Sequence, residues 1–144
     1  MEDKALLSTE VASGAEKAEL LIVIPAYNEA ENIERVVNHL TANFPQYDYV
    51  VVNDGSRDET AAICQRNGYN LLNLPVNLGL AGAFQAGLKY ADKYGYQYAV
   101  QLDGDGQHRP EYLESMIKKM EEGYDIVIGS RFVGEKKPFT MRML

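Results

Sequence analysis

The chain is poor in cysteine, in positive charge and in long apolar runs. Its one cysteine, Cys64, cannot form an internal disulfide; on a predicted helix it reads as a reduced, half-buried and chemically idle thiol, which fits a reducing, cytoplasmic compartment. The longest strongly apolar run, Leu20 to Ala26, falls far short of the about 20 residues that a membrane-spanning helix needs. The N-terminus has no basic segment leading into a hydrophobic signal core, so neither a membrane span nor a secretory signal is expected. Lys and Arg number 14 against 21 Asp and Glu, a formal net charge of -7 that argues against non-specific attraction to nucleic acid. An acidic protein that handles a phosphorylated ligand must neutralise it locally, with a metal or a few arginines.

What remains is the composition of one compact unit: 144 residues, 46% of them apolar, are enough for one domain with its own core and too few for two ordinary ones. Residues 1–19 are rich in Ser, Ala and Glu with little apolar periodicity and read as a flexible leader. From Leu20 onward short Val/Ile/Leu/Tyr runs alternate with stretches of helical spacing, with no repeat or low-complexity block. Strands are predicted over Leu20 to Pro25, Tyr49 to Asn53, Asn70 to Leu74, Tyr96 to Leu102 and Asp125 to Gly129. Asn28 with Glu31, and Ser56 with Glu59, have capping-box spacing for the first two helices, and Gly68 and Gly95 are helix stops. The third helix is rich in small residues (Ala81, Gly82, Ala83, Ala86, Gly87), which permit close approach to a sheet. Pro110 opens a fourth, whose Leu113, Met116, Ile117 and Met120 face inward. The compact domain is expected over residues 20–133, with 134–144 an unfinished loop.

Alternating strands and helices imply right-handed crossovers and an α/β fold: an open, mostly parallel sheet with helices on both faces. For five strands the commonest open order is 3-2-1-4-5, which sets strands 1 and 4 side by side and opens a crevice beyond their carboxyl ends. The segments after strands 1, 2 and 4 are Pro25-Ala26-Tyr27-Asn28-Glu29, Asp54-Gly55-Ser56 and Asp103-Gly104-Asp105. The unusual polar residues all arrive at one rim.

The turn Asp103-Gly104-Asp105-Gly106-Gln107-His108 puts two carboxylates one residue apart on a glycine-rich turn. Such hard oxygen donors suit Mg²⁺ or Mn²⁺, whose remaining ligands would be waters and substrate phosphates. Read alone, the pair could equally be a solvated tight turn. The EF-hand register of Asp103, Asp105, Gln107, Arg109, Glu111 and Glu114 fails, because His108 stands where the sharp turn needs glycine and a strand precedes the loop. A phosphoacceptor receiver domain would want acids just after strand 1, where this chain has Pro25-Ala26-Tyr27. His39 and His108 have no assigned role.

Five segments in order, Ile22 to Glu29, Val51 to Thr60, Asn77-Leu78-Gly79, Asp103 to His108 and Gly129-Ser130-Arg131-Phe132, closely resemble family 2 glycosyltransferases of the GT-A fold. The form of the acidic turn is most similar to the branch that loads sugars onto polyprenyl phosphates, the dolichyl-phosphate mannose synthase-like enzymes. The resemblance implies that Pro25, Tyr27, Glu29 and Asp54 line the base and ribose pocket of a UDP- or GDP-sugar, and that Gly79 shapes the loop beside it. It also implies that Asp103, Asp105 and Gln107 hold the divalent metal, with Asp103 and Asp105 the catalytic carboxylates, and that Arg131 contacts a phosphate. Chemistry agrees at Asp54, which can accept a ring N–H of uracil or guanine, and at Tyr27, an aromatic wall with a polar tip. Asn53 stands where the family often has an acid.

The family's acceptor-binding half, and any general base, follow the Gly-Ser-Arg segment, so the chain resembles the donor half alone. The expected function is that of a metal-dependent, inverting glycosyltransferase that retains mainly donor and metal binding. Its acceptor is expected to be a polyprenyl phosphate or another glycan or lipid; the full-length form would then lie against the inner face of the membrane. The alternative is a non-catalytic nucleotide-binding or interaction module. A face left open where the second half would pack offers a surface for homo-oligomer formation.

Overall fold

A computed structural model of the chain describes residues 19–104 and 110–127. Most of the expected leader, Asp105, Gln107, Arg131, the end of the expected fifth strand and the 134–144 loop lie outside the described residues. The described residues fall into two compact units, 19–104 and 110–127.

The first unit is a parallel sheet of four strands, β1 (Leu20–Ala26), β2 (Asp48–Asn53), β3 (Leu71–Asn73) and β4 (Tyr98–Gln101), in the order β3-β2-β1-β4. This is the expected 3-2-1-4 arrangement. β1 is central, paired with β2 from Leu21↔Asp48 to Ala26↔Asn53 and with β4 from Leu20↔Tyr98 to Val23↔Gln101. All seven of its residues are buried, which is why it reads as an unbroken apolar run rather than an alternation.

Helices α1 (Ile33–Asn43), α2 (Thr60–Arg66) and α3 (Gly79–Lys93) connect the strands. The chain steps β1 to β2 to β3 in one direction and then returns past two strands to β4. Right-handed crossovers therefore put α1 and α2 on one face and α3 on the other. Side-chain alternation fits: Leu21, Val23, Val50 and Val52 form one core cluster with Ala83 and Ala91 of α3. On the opposite face Ile22, Ile24 and Val51 are as fully buried as Ile33 and Val37 of α1, and Cys64 of α2 is buried too. The small residues of α3 have a direct reason at Gly87, where a Cβ would fall on Val23 Cγ1 and lie 2.8 Å from Cγ2. Burial pushes the Cys64 thiol up to about 11, so it stays protonated and unreactive at neutral pH.

Neither expected capping box forms. The α1 helix begins four residues later than Asn28 would set it, after Asn32, and α2 begins after Glu59; neither Asn32 nor Glu59 makes a side-chain cap hydrogen bond. Asn28 and Ser56 bond across to each other's loops instead. The α2 and α3 helices do run out just before Gly68 and Gly95.

In the second unit a 3-10 turn over Pro110–Tyr112 leads into α4 (Leu113–Glu121). Leu113 is buried and Met116, Ile117 and Met120 are half-buried, the stripe that the spacing predicts. Residues 125–127 carry no strand, so the expected fifth strand is not seen where the structure describes it. No helix among the described residues is long and apolar enough to cross a membrane.

Candidate functional site

A cleft of about 450 Å³ opens at the carboxyl ends of β1, β2 and β4, beside the first turn of α3. Pro25, Tyr27, Glu29, Asp54, Gly79 and Asp103, all expected on sequence grounds, line it together; Ala26, Asn77, Leu80 and Gly104 complete the wall. It is the crevice beyond the carboxyl ends of the neighbouring strands β1 and β4, where an open α/β sheet usually binds its ligand.

The loops after β1 and β2 are stitched to each other. Asn28 N donates to Ser56 Oγ (3.0 Å), Arg57 N to Asn28 Oδ1 (2.9 Å), Ala30 N to Asp58 Oδ2 (3.1 Å) and Glu29 N to Thr60 Oγ1 (2.9 Å). Asn28 makes its two bonds from a left-handed backbone with φ of 53°, a conformation that Asn tolerates better than most residues. Tyr27, 45% exposed, and Glu29 are thereby held on one wall while Asp54 sits on the other. Asn28, Asp58 and Thr60 escaped the sequence reading because short polar residues near helix starts suggest caps first. The available signal was that Asn follows a strand end directly, as a left-handed turn residue does.

Asp54 is 3% exposed and tightly held. Its N–H donates to Ala26 O (2.9 Å), its carbonyl accepts from Asn77 Nδ2 (3.0 Å), and its Oδ1 accepts from Leu78 N (2.7 Å). Oδ2 has no such bond. Asp54 is also one of the residues that line the cleft. Gly55 follows with φ of 70°, its α-carbon so close to the 76–77 backbone that a Cβ would lie 2.6 Å from Asn77 N. Asn53, the departure from the family pattern, is buried and structural: Oδ1 accepts from Ser56 N (3.2 Å) and Nδ2 donates to Asn73 Oδ1 (2.9 Å).

Asp103 Oδ1 accepts from Gln101 Nε2 (3.0 Å), and Gly104 lies against the end of β1, where a Cβ would come within 3.1 Å of Pro25 O. The described wall of the cleft contains three carboxylates, Glu29, Asp54 and Asp103, and no lysine or arginine. No three metal-ligating side chains cluster among the described residues. Asp103 brings a hard oxygen donor to the cleft, and the expected metal ligands Asp105 and Gln107 lie outside the described residues.

The chain matches the model of the glycosyl transferase family 2 over residues 21–144. It belongs to that family. A curated family relative, polyprenol monophosphomannose synthase of Mycolicibacterium smegmatis, is 34% identical over 119 residues, which cover 78% of this chain and 45% of that protein. The chain spans about half the length of the first curated relatives it matches. Among solved structures, a Pyrobaculum calidifontis mannosyltransferase in complex with GDP-Man and Mn²⁺ superposes with a TM-score of 0.57 at 21% identity, over 72% of this chain and 32% of that one. Glucosyl-3-phosphoglycerate synthase of Mycobacterium tuberculosis in complex with UDP gives 0.60 at 21% identity, over 74% and 41%. These two likenesses are of fold.

Proposed function

We propose that this chain is the donor-binding part of a metal-dependent, inverting glycosyltransferase that takes a UDP- or GDP-sugar and transfers the sugar to a polyprenyl phosphate or another glycan or lipid acceptor. One observation carries the reading: Pro25, Tyr27, Glu29, Asp54, Gly79 and Asp103, from four separate stretches of sequence, line a single cleft. Family membership and the product in the name of the Mycolicibacterium relative, polyprenol monophosphomannose, support it.

In this reading Asp54 Oδ2 accepts a ring N–H of the base, and Tyr27 and Pro25 form the wall beside it. Glu29 faces the ribose, and Gly79 keeps the start of α3 free of side-chain bulk. Asp103, Asp105 and Gln107 would hold Mg²⁺ or Mn²⁺, and Arg131 would contact a phosphate. A bound divalent ion supplies Lewis-acid stabilisation of the charge gathering on the departing nucleoside diphosphate. The bond between anomeric carbon and diphosphate breaks with its electron pair going to the leaving group, as the acceptor oxygen bonds from the opposite face. A phosphate acceptor is already ionised and needs no general base. A lipid acceptor would bring the enzyme to the inner face of the membrane.

Calorimetric titration of UDP and GDP tests the donor site. Binding is expected with Mn²⁺, a loss of about a hundredfold or more with EDTA, and the same loss in Asp105→Ala. Nucleotide binding that ignores both the metal and Asp105 would overturn the metal assignment, and no binding at all would overturn the donor site.

A further inference from the structure

We infer that Thr60, buried and outside the cleft wall, is a positioning residue for the donor: its hydroxyl, oriented by Asp58, fixes where Glu29 stands. The inference rests on the donor-binding reading of this cleft, in which Glu29 faces the ribose. Three successive N–H groups ahead of α1 donate to side chains of another segment: Asn28 N to Ser56 Oγ, Glu29 N to Thr60 Oγ1 and Ala30 N to Asp58 Oδ2. The approach to α1 is thus capped from the loop after β2.

At Thr60 the direction of the bonds is set. Its hydroxyl has one proton, and an ionised Asp58 can only accept, so the proton goes to Asp58 Oδ1 (2.5 Å) and a lone pair is left for Glu29 N (2.9 Å). The Asp58 carboxylate is itself held, Oδ1 by Thr60 N (2.9 Å) and Oδ2 by Ala30 N (3.1 Å). Glu29's other bonds stay within its own turn: its carbonyl accepts from Asn32 N and Ile33 N, and Oε2 accepts from Asn32 Nδ2. Those fix the shape of the turn, whereas the bond to Thr60 fixes Glu29's backbone against the neighbouring loop. Thr60 is 0% exposed, so no solvent replaces that bond when the hydroxyl is removed. A small displacement of a binding group lowers affinity even where the fold survives.

The experiment is calorimetry of UDP with MnCl₂ on the 144-residue chain and its variants. Thr60→Val keeps the shape and removes the hydroxyl, and should weaken UDP by about fivefold or more; Thr60→Ser keeps the hydroxyl and should stay within about twofold of wild type. Tyr96→Phe deletes a matched bond, Tyr96 OH to Asp48 Oδ2 (2.7 Å), at the amino ends of β4 and β2, and should leave UDP affinity unchanged. In a Glu29→Ala background Thr60→Val should cost less than about twofold more, because its effect runs through Glu29. Wild-type affinity in Thr60→Val, failure of Thr60→Ser to restore binding, equal weakening in Tyr96→Phe or full additivity with Glu29→Ala each overturns the positioning role and leaves the donor site standing. No UDP binding by the wild type overturns the donor reading and this inference with it. Should Thr60→Val not fold, Asp58→Asn at an exposed position decides: its NH₂ would face the Ala30 N–H or displace the acceptor of the Thr60 hydroxyl, so UDP should weaken by about threefold, and wild-type affinity would overturn the role.

Discussion

At position 55 only glycine fits, for two independent reasons. Its φ of 70° is one that side chains oppose, and a Cβ would meet backbone, 2.6 Å from Asn77 N and 2.9 Å from the Val76 carbonyl carbon, which cannot swing aside as a side chain could. Gly55→Ala should therefore lower stability by about 2–4 kcal/mol in urea denaturation and weaken nucleotide binding, because the 76–79 segment that it displaces anchors Asp54. A loss below about 1 kcal/mol would show that the two loops can separate at little cost. At this scale the sequence was legible where a residue's chemistry is unusual for its place: a buried Asp and an exposed Tyr beside strand ends stand out. It was not legible at Asn53, whose amide bridges Ser56 and Asn73. Those partners are brought together by the pairing of β2 with β3, which no local spacing encodes.

Among the elements, the clasp between the first two loops gives Asp58 a measurable role. Burial opposes its charge, but hydrogen bonds from the Thr60 hydroxyl, the Thr60 N–H and the Ala30 N–H outweigh that and hold its pKa below the usual carboxylate value. A group depressed in the folded state stabilises fully above its unfolded pKa of about 4, and that contribution is lost as pH falls through the lower, folded value. Asp58→Asn should thus lower the urea midpoint at neutral pH, and the gap from wild type should narrow as pH falls below about 4. A gap that stays constant across that range would mean that the carboxylate charge contributes nothing. Strands and helices were legible here because burial on one or both faces writes a period into the sequence. The starts of α1 and α2 were not, since a short polar side chain that bonds to a neighbouring loop, as Ser56 and Asn28 do, has the same spacing as one that caps its own helix.

Over the whole molecule, the arrangement of strands was legible because connection handedness and the alternation of elements leave few choices, and the crevice followed from it. Charge acts at this scale too. With a net charge of -7 the protein repels a diphosphate at long range, so added salt should speed association. Between about 20 and 150 mM ionic strength the stopped-flow rate constant for UDP with Mn²⁺ should rise by about twofold, the opposite of the trend for a basic nucleotide-binding protein. A falling rate would point to a local positive field at the cleft mouth. One further result follows from β1 lying between β2 and β4. During synthesis Leu20–Ala26 leaves the ribosome first among the strands but keeps one edge bare until Tyr98–Gln101 has emerged and crossed behind it, so nascent polypeptides that end before β4 have an unprotected apolar strand for chaperones to shield.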